Sequence, residues 1–317
     1  MRILVTGGCG FIGSNFIKHM LDKYENYQIT NIDALTYAGN RKNIEEGGYD
    51  LHQNYYFVNG DINETDILNH IIEEREIDTI INFAAESHVD KSIVNPDEHV
   101  RTNINGTYNL LRLLHKHPIK RYIQISTDEV YGSLSEDDSP FTEETSLAPS
   151  SPYAASKASA DVLCQSFHKT YGYPILITRC SNNYGPNQYP EKLIPLMIQK
   201  ANNNEKLPVY GDGRNIRDWI HVQDHCEAID TVLHKGKDGE VYNIGGLDEK
   251  RNMDIVKCIL DSLKKPYGFV EFVTDRLGHD WRYAMDISKI KKELGWRPRI
   301  NFKDGIKGLI NESSNRR

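Results

Sequence analysis

The chain opens on Ile3-Leu4-Val5-Thr6-Gly7-Gly8-Cys9-Gly10-Phe11-Ile12-Gly13: an apolar run, a glycine turn, then the start of a helical pattern. Compact apolar runs recur at Arg2–Thr6, Gln28–Ile32, Tyr55–Val58, Thr79–Phe83, Arg121–Ser126 and Ile175–Arg179, with helical periodicity between them. Strands that alternate with helices and carry no polar face require right-handed crossovers over a sheet covered on both sides. The expected class is therefore α/β, a doubly wound parallel sheet. Two helices carry clear start signals. Asn95-Pro96-Asp97 precedes a stripe of Val100, Ile104, Tyr108, Leu111 and His115, and Ser151-Pro152 precedes Tyr153–Tyr171, which Gly172 closes.

After Arg179 the pattern changes. Asn182, Asn183, Gly185, Pro186, Pro190 and Pro195 crowd together, and later segments are shorter and more polar. Val241–Ile244 before Gly245-Gly246 reads as one more strand of the first sheet. The expected organisation is residues 1–180 plus 219–246 as one domain and 181–218 plus 247–317 as a smaller, discontinuous α/β lobe. Ser133–Ser150 reads as a long polar loop near the mouth of the cleft.

Composition narrows the function classes. With 317 residues and 38 % hydrophobic content the chain can bury a sizeable core. A net charge of −7 disfavours nucleic acid and anionic membranes, so any phosphate must meet a local cluster of cations. Cys9, Cys164, Cys180, Cys226 and Cys258 show no paired framework and read as reduced thiols. Met1-Arg2 runs directly into a strand and no apolar run reaches the ~18 residues of a membrane span. A cytoplasmic protein is the expectation, and Asn63, Asn105 and Asn311 are then chance glycosylation triplets.

Gly7, Gly10 and Gly13 sit where a backbone must approach a pyrophosphate, and Phe11-Ile12 open a helix whose free N–H groups favour an anion. Asp33 ends the next strand twenty residues past Gly13. A carboxylate there accepts from a ribose 2′-hydroxyl and repels a 2′-phosphate, which favours NAD in a Rossmann-like domain. Arg41 and Lys42 nearby keep NADP as the alternative. Asp61-Ile62 would flank the adenine, and Ala84, Ala85 and Ser87 would lie under the pyrophosphate and ribose.

Tyr153 and Lys157 stand at i and i+4 of one helix, ~6 Å apart along its axis. A phenol of pKa about 10 needs roughly 4 kcal/mol of anion stabilisation to act as a base at neutral pH. Lys157 and a positive nicotinamide are suitable sources. A chance surface pair is the bland alternative. It recedes because Ser126-Thr127-Asp128-Glu129 stands at the end of the fifth strand. Oxidation alone has no use for two adjacent acids. Their repulsion should raise one pKa, which suits an acid and a base acting together, and the backbone there should leave strand geometry.

These motifs match the extended short-chain dehydrogenase/reductase superfamily. Ala84–Asp90, Ser126–Gly132, Ser181–Pro186 and Asp275–Asp280 further resemble the dTDP-glucose 4,6-dehydratase family, over nearly the whole chain. The resemblance implies that Tyr153 takes the sugar 4-hydroxyl proton during oxidation by NAD and that Thr127 orients that oxygen. Glu129 would then remove the C5 proton and a protonated Asp128 would release the 6-hydroxyl as water. It further implies Thr102 and Asn183 at the coenzyme. At the sugar nucleotide it implies Ser87, Asn182, Lys192, Leu193, Pro208, Val209, Tyr210, Arg217 and Asn252, with Asp275, Arg276, Leu277, Gly278, His279 and Tyr283. Leu277 stands where the family generally has proline. A homodimer paired through the Asn95–His115 and Tyr153–Tyr171 helices, and a place in deoxysugar biosynthesis with dTDP-rhamnose the first candidate, are also implied.

Thymine is not readable from physics, since one pocket pattern could accept uracil. A sugar-nucleotide 4-epimerase would keep Tyr153 and Lys157 without needing the acids. A non-catalytic NAD-sensing protein on this fold would have no reason to keep the whole set. His221 and His225 have i, i+4 spacing but no third ligand, so a core role is favoured over zinc and no metal is expected.

Overall fold

The computed structural model describes residues 1–315; residues 316 and 317, which the sequence assigns to the second lobe, lie outside the described residues. The first strands are β1 (Arg2–Thr6), β2 (Gln28–Asp33), β3 (Tyr55–Asn59), β4 (Thr79–Asn82), β5 (Arg121–Thr127) and β6 (Ile175–Cys180). They are followed by β7 (Asn182–Tyr184), β8 (Leu207–Tyr210), β9 (Ile216–His221), β10 (Val241–Ile244), β11 (Glu249–Arg251) and β12 (Val270–Val273). Seven of them form one sheet in the order β10-β6-β5-β4-β1-β2-β3, and every pairing in it is parallel. The chain reverses its direction of sheet growth between β1 and β4. A crevice opens at such a switch point, at the carboxyl ends of the strands.

Both faces of the sheet are covered, which is why its strands read as continuous apolar runs. Ile3, Val5, Ile81 and Ile123 pack on one side against the Phe11–Lys23 and Val222–Lys235 helices. Leu4, Ile80, Tyr122 and Ile177 pack on the other against Leu110, Leu111 and Cys164. Each such side chain contributes about 1.5–3 kcal/mol by leaving water.

A second core forms where β8 pairs with β12 and β9 pairs with both β7 and β11. It gathers Tyr184, Met197, Trp219, Ile259 and Phe302. Among the described residues no helix is long and apolar enough to cross a membrane.

Three local expectations are met. Ser151 caps the Pro152–Tyr171 helix through Ala154 N, and Gly172 ends it at φ 71°. Asp128–Tyr131 leaves the strand as a 3₁₀ turn. One other is not. The helix after Asn95 is interrupted: Asp97–His99 is α, Val100–Gly106 widens into a π-helix, and α geometry resumes at Thr107–Leu113. The extra residue turns the expected stripe outward, so Val100, Tyr108 and His115 are exposed and only Leu111 is fully buried. The long 133–150 loop is pinned along the 280–286 segment. Leu134 N and Phe141 N donate to Arg282 O and Ala284 O, and both side chains join a small apolar cluster with Tyr131, Tyr283 and Met285. None of its residues lines the main cavity.

Candidate active site

A cavity of about 330 Å³ opens at the switch point, lined from β1, β2, β4, β5 and β6. Two glycines let it form. Gly7 stands at φ 67°, and a Cβ there would come 2.7 Å from the Ala84 backbone; a Cβ on Gly13 would come 2.6 Å from Gly7 O. Gly10 is the N-cap of the Phe11–Lys23 helix, which has no side-chain cap. The amides of Gly10, Phe11, Ile12 and Gly13 therefore border the cavity at the positive end of a helix, which fits a pyrophosphate.

Asp33, at the end of β2, accepts from Cys9 N and Leu35 N, both at 2.8 Å. Burial raises its pKa above the usual carboxylate value and those two amides pull it back. Each carboxylate oxygen keeps a further lone pair for a ribose hydroxyl. Arg41 is paired with Glu45 at 3.5 Å and stacked over Phe57. Asp61, Ile62, Ala84, Ala85, Ser87, Thr102 and Asn183 also line the cavity. The residues present fit a dinucleotide carrying a free 2′-hydroxyl.

At the end of β5 the chain turns sharply. Thr127 Oγ1 accepts from Glu129 N at 3.3 Å and donates to Asp128 Oδ1 at 3.2 Å. Asp128 is 2 % exposed, and its Oδ2 has no hydrogen-bond partner. Burial, then the neighbouring Glu129, pushes its carboxyl well above the usual range. Burial also raises Glu129, against the pull of Arg276, Lys192 and Arg217. Tyr153 and Lys157 face the same cavity from the Pro152–Tyr171 helix.

Lys157 has one of its three donors committed to the backbone. Its Nζ donates to Ile125 O at 2.7 Å. Burial, with Glu129, Cys180 and Asp128 adding to it, drives the Tyr153 phenol well above its ordinary value. Burial also lowers the Lys157 pKa, with Asp161 opposing.

The residues expected at the sugar nucleotide divide. Ser87, Thr127, Asn182 and Lys192 line the cavity, and Lys192 Nζ reaches Ser87 O at 3.0 Å. Pro208, Tyr210, Arg217, Asn252, Asp275, Arg276, Leu277, Gly278, His279 and Tyr283 are not among its lining residues. Most gather instead around β8 and the 275–283 segment. His279 Nδ1 meets Asp275 Oδ1 at 2.6 Å, Tyr210 lies edge-on to His279, and Asn252 N donates to Asn215 O.

Arg217 is buried. Its guanidinium donates to Ile216 O, Trp281 O and Asp280 O and lies 4.2 Å from the Tyr283 ring centroid. Among the described residues its recorded hydrogen bonds all go to backbone carbonyls, and Arg276 Nε is buried without a hydrogen-bond partner.

β8 alternates, so Leu207 and Val209 point into the second core while Pro208 and Tyr210 face outward. The Val209 side chain is 2 % exposed, and Leu193, half-buried, packs against the same core.

Other groups at the cavity escaped the sequence reading. Tyr37 OH meets Ser87 Oγ at 3.3 Å, Tyr189 lies edge-on to Tyr37, and His88 Nε2 pairs with Glu191 Oε2 at 3.2 Å. Arg101 bonds Asp61 Oδ2 at 2.7 Å. These residues come from separate loops, and no short motif marks them. The His221/His225 pair does have a local use: His225 is buried and its Nδ1 meets Asn183 Oδ1 at 2.8 Å. Among the described residues no group of three His, Cys, Asp or Glu is placed to hold a metal.

The family model for GDP-mannose 4,6 dehydratase matches residues 4–309. The chain belongs to this family. Within the wider reach of that 4,6-dehydratase family, the chain is 50 % identical to a low-salt glycan biosynthesis protein of Haloferax volcanii, over 98 % of this chain and 97 % of that one. It is 48 % identical to a dTDP-glucose 4,6-dehydratase of Xanthomonas campestris, over 96 % of this chain and 90 % of the relative. The crystal structure of a Bacillus anthracis dTDP-glucose 4,6-dehydratase in complex with NAD superposes with a TM-score of 0.92 at 53 % identity, covering 99 % and 97 % of the two chains.

Proposed function

We propose that this chain is an NAD-dependent dTDP-glucose 4,6-dehydratase, a hydro-lyase that turns dTDP-glucose into dTDP-4-dehydro-6-deoxyglucose and water. One observation carries the reading: a buried, high-pKa Asp128 and its neighbour Glu129 share a cavity with Tyr153 and Lys157. A 4-epimerase has no work for the two acids.

NAD, when bound, accepts the reducing equivalent from C4 of the hexose and returns it at C6, and its positive ring favours a Tyr153 phenolate. Tyr153 takes the proton of the 4-hydroxyl. Thr127 Oγ1, fixed by its bonds to Glu129 N and Asp128 Oδ1, orients that oxygen. The 4-ketone acidifies the C5 proton, which Glu129 removes and gives back to C5 when C6 is reduced. Asp128, whose burial favours the protonated form, donates to the departing 6-hydroxyl. Each positioned acid or base contributes about 10²–10⁴-fold. Arg217, Arg276 and Lys192 place positive charge around Glu129 and suit the substrate pyrophosphate.

The same reading makes the protein a homodimer. Val100 and Tyr108 on one helix, with Val162 and Tyr171 on the next, leave an exposed apolar face joined by the Tyr108–Phe167 and Phe167–Tyr171 ring contacts. A cytoplasmic setting accords with five free cysteines. The product would feed deoxysugar synthesis. Incubation with dTDP-glucose should yield a product with the strong alkaline absorbance of a 4-keto-6-deoxy sugar, and UDP-glucose should yield much less. Epimerised sugar without loss of water would refute the proposal.

A further inference from the structure

Beneath the cavity, three elements meet at one buried ion pair that the mechanism above does not use. Arg179 on β6 and Asp161 on the Pro152–Tyr171 helix join Nε to Oδ2 at 2.8 Å, with side chains 2 % and 0 % exposed. Ser126, the residue before Thr127 on β5, donates to the same oxygen at 3.0 Å. Arg179 Nη1 donates to Tyr131 OH at 2.9 Å, and its guanidinium lies 4.8 Å from the Tyr131 ring centroid. Tyr131 OH in turn donates to Asn243 Oδ1 at 2.8 Å on β10.

Each partner adjoins a reactive group. Asp161 lies one helical turn beyond Lys157 and two turns beyond Tyr153. Tyr131 closes the 3₁₀ turn that begins with Asp128 and Glu129. The guanidinium is a planar fork, so it fixes angle as well as distance between the groups it binds. A buried ion pair is a poor device for stability alone, because an apolar pair of similar volume is commonly as stable or more so.

We propose that Asp161 and Arg179 are positioning residues that hold the acid turn in register with the Tyr153–Lys157 helix, so that the sugar oxidised by one is dehydrated by the other. This rests on the dehydratase reading. Tyr131 is the arm that reaches the acid turn, and Ser126 is the arm that reaches Thr127.

Two variants test it against wild-type protein assayed alongside. Asp161→Leu with Arg179→Met replaces the pair by apolar groups and should fold with an unchanged or higher Tm. Its kcat on dTDP-glucose should fall at least about tenfold while KM stays within about twofold. Tyr131→Phe removes only the hydroxyl. It should fold and oxidise substrate, but dehydration should lag, so that the near-ultraviolet absorbance of reduced nicotinamide builds up on mixing. Wild-type kcat in both folded variants, or losses that vanish once corrected for the folded fraction, would overturn the proposal. A wild-type protein that leaves dTDP-glucose unchanged would instead refute the dehydratase reading.

Discussion

Thr127 donates its hydroxyl to Asp128 Oδ1 at 3.2 Å, while Asp128 Oδ2 lies buried with no partner. Burial, then the neighbouring Glu129, favours the protonated form of this carboxyl, while the Thr127 bond pulls the other way. Asp128→Asn preserves the shape and the hydrogen-bond acceptor but removes the acid, and Glu129→Gln removes the base. In each, kcat should fall about 10²–10⁴-fold with C4 oxidation still observable as accumulated reduced nicotinamide. Rapid-mixing absorbance checks this. Full activity in either amide variant would remove that residue from the chemistry.

Asp33 should govern coenzyme choice. Its carboxylate already accepts two amides and presents buried negative charge where a 2′-phosphate would sit. Asp33→Asn should weaken NAD about tenfold and strengthen NADP by a similar factor, read by calorimetric titration. An unchanged preference would place the ribose elsewhere.

Asp230 clasps the Phe11–Lys23 and Val222–Lys235 helices. It bonds Lys23 Nζ at 2.6 Å, His19 Nε2 at 2.9 Å and Tyr24 OH at 3.0 Å, and pairs with His234 Nδ1 at 2.9 Å. Burial alone would raise its pKa, but these partners overcome that and hold the carboxyl far below its ordinary range. The folded value is depressed, so its stabilisation is complete above the unfolded carboxylate value of about 4 and drains as pH falls below it. Asp230→Asn should cost about 1–3 kcal/mol at neutral pH, shrinking in acid, by urea unfolding at several pH values. A pH-independent loss would contradict this.

The exposed apolar face makes a prediction of its own. Tyr108→Glu combined with Val162→Glu puts charge where Tyr108 and Val162 are 45 % and 52 % exposed in the single chain. Sedimentation should show the wild type as a dimer and the variant as a monomer. A monomeric wild type would dismiss the pairing.

Much of the fold was legible because buried parallel strands are short apolar runs that nothing else in this sequence imitates. β1 to β6 and β10 fall within a residue of their expected limits. The π-helix at Val100–Gly106 was not legible, since a 3.6-residue periodicity cannot announce one extra residue per turn. The glycines, Asp33 and the acid turn were visible because each adjoins a strand end. Tyr37, Tyr189 and Glu191 were not, since loops distant in sequence bring them together. The alternation along Leu207–Tyr210, which buries Leu207 and Val209 and leaves Pro208 and Tyr210 outward, was not legible in so short a run.

The most direct test follows a label. dTDP-glucose carrying deuterium at C4 should give 4-keto-6-deoxy product with that deuterium at C6, transferred within one active site, and no net reduced nicotinamide should remain at completion. Deuterium recovered in free reduced nicotinamide, or retained at C4 of an epimerised sugar, would contradict the account.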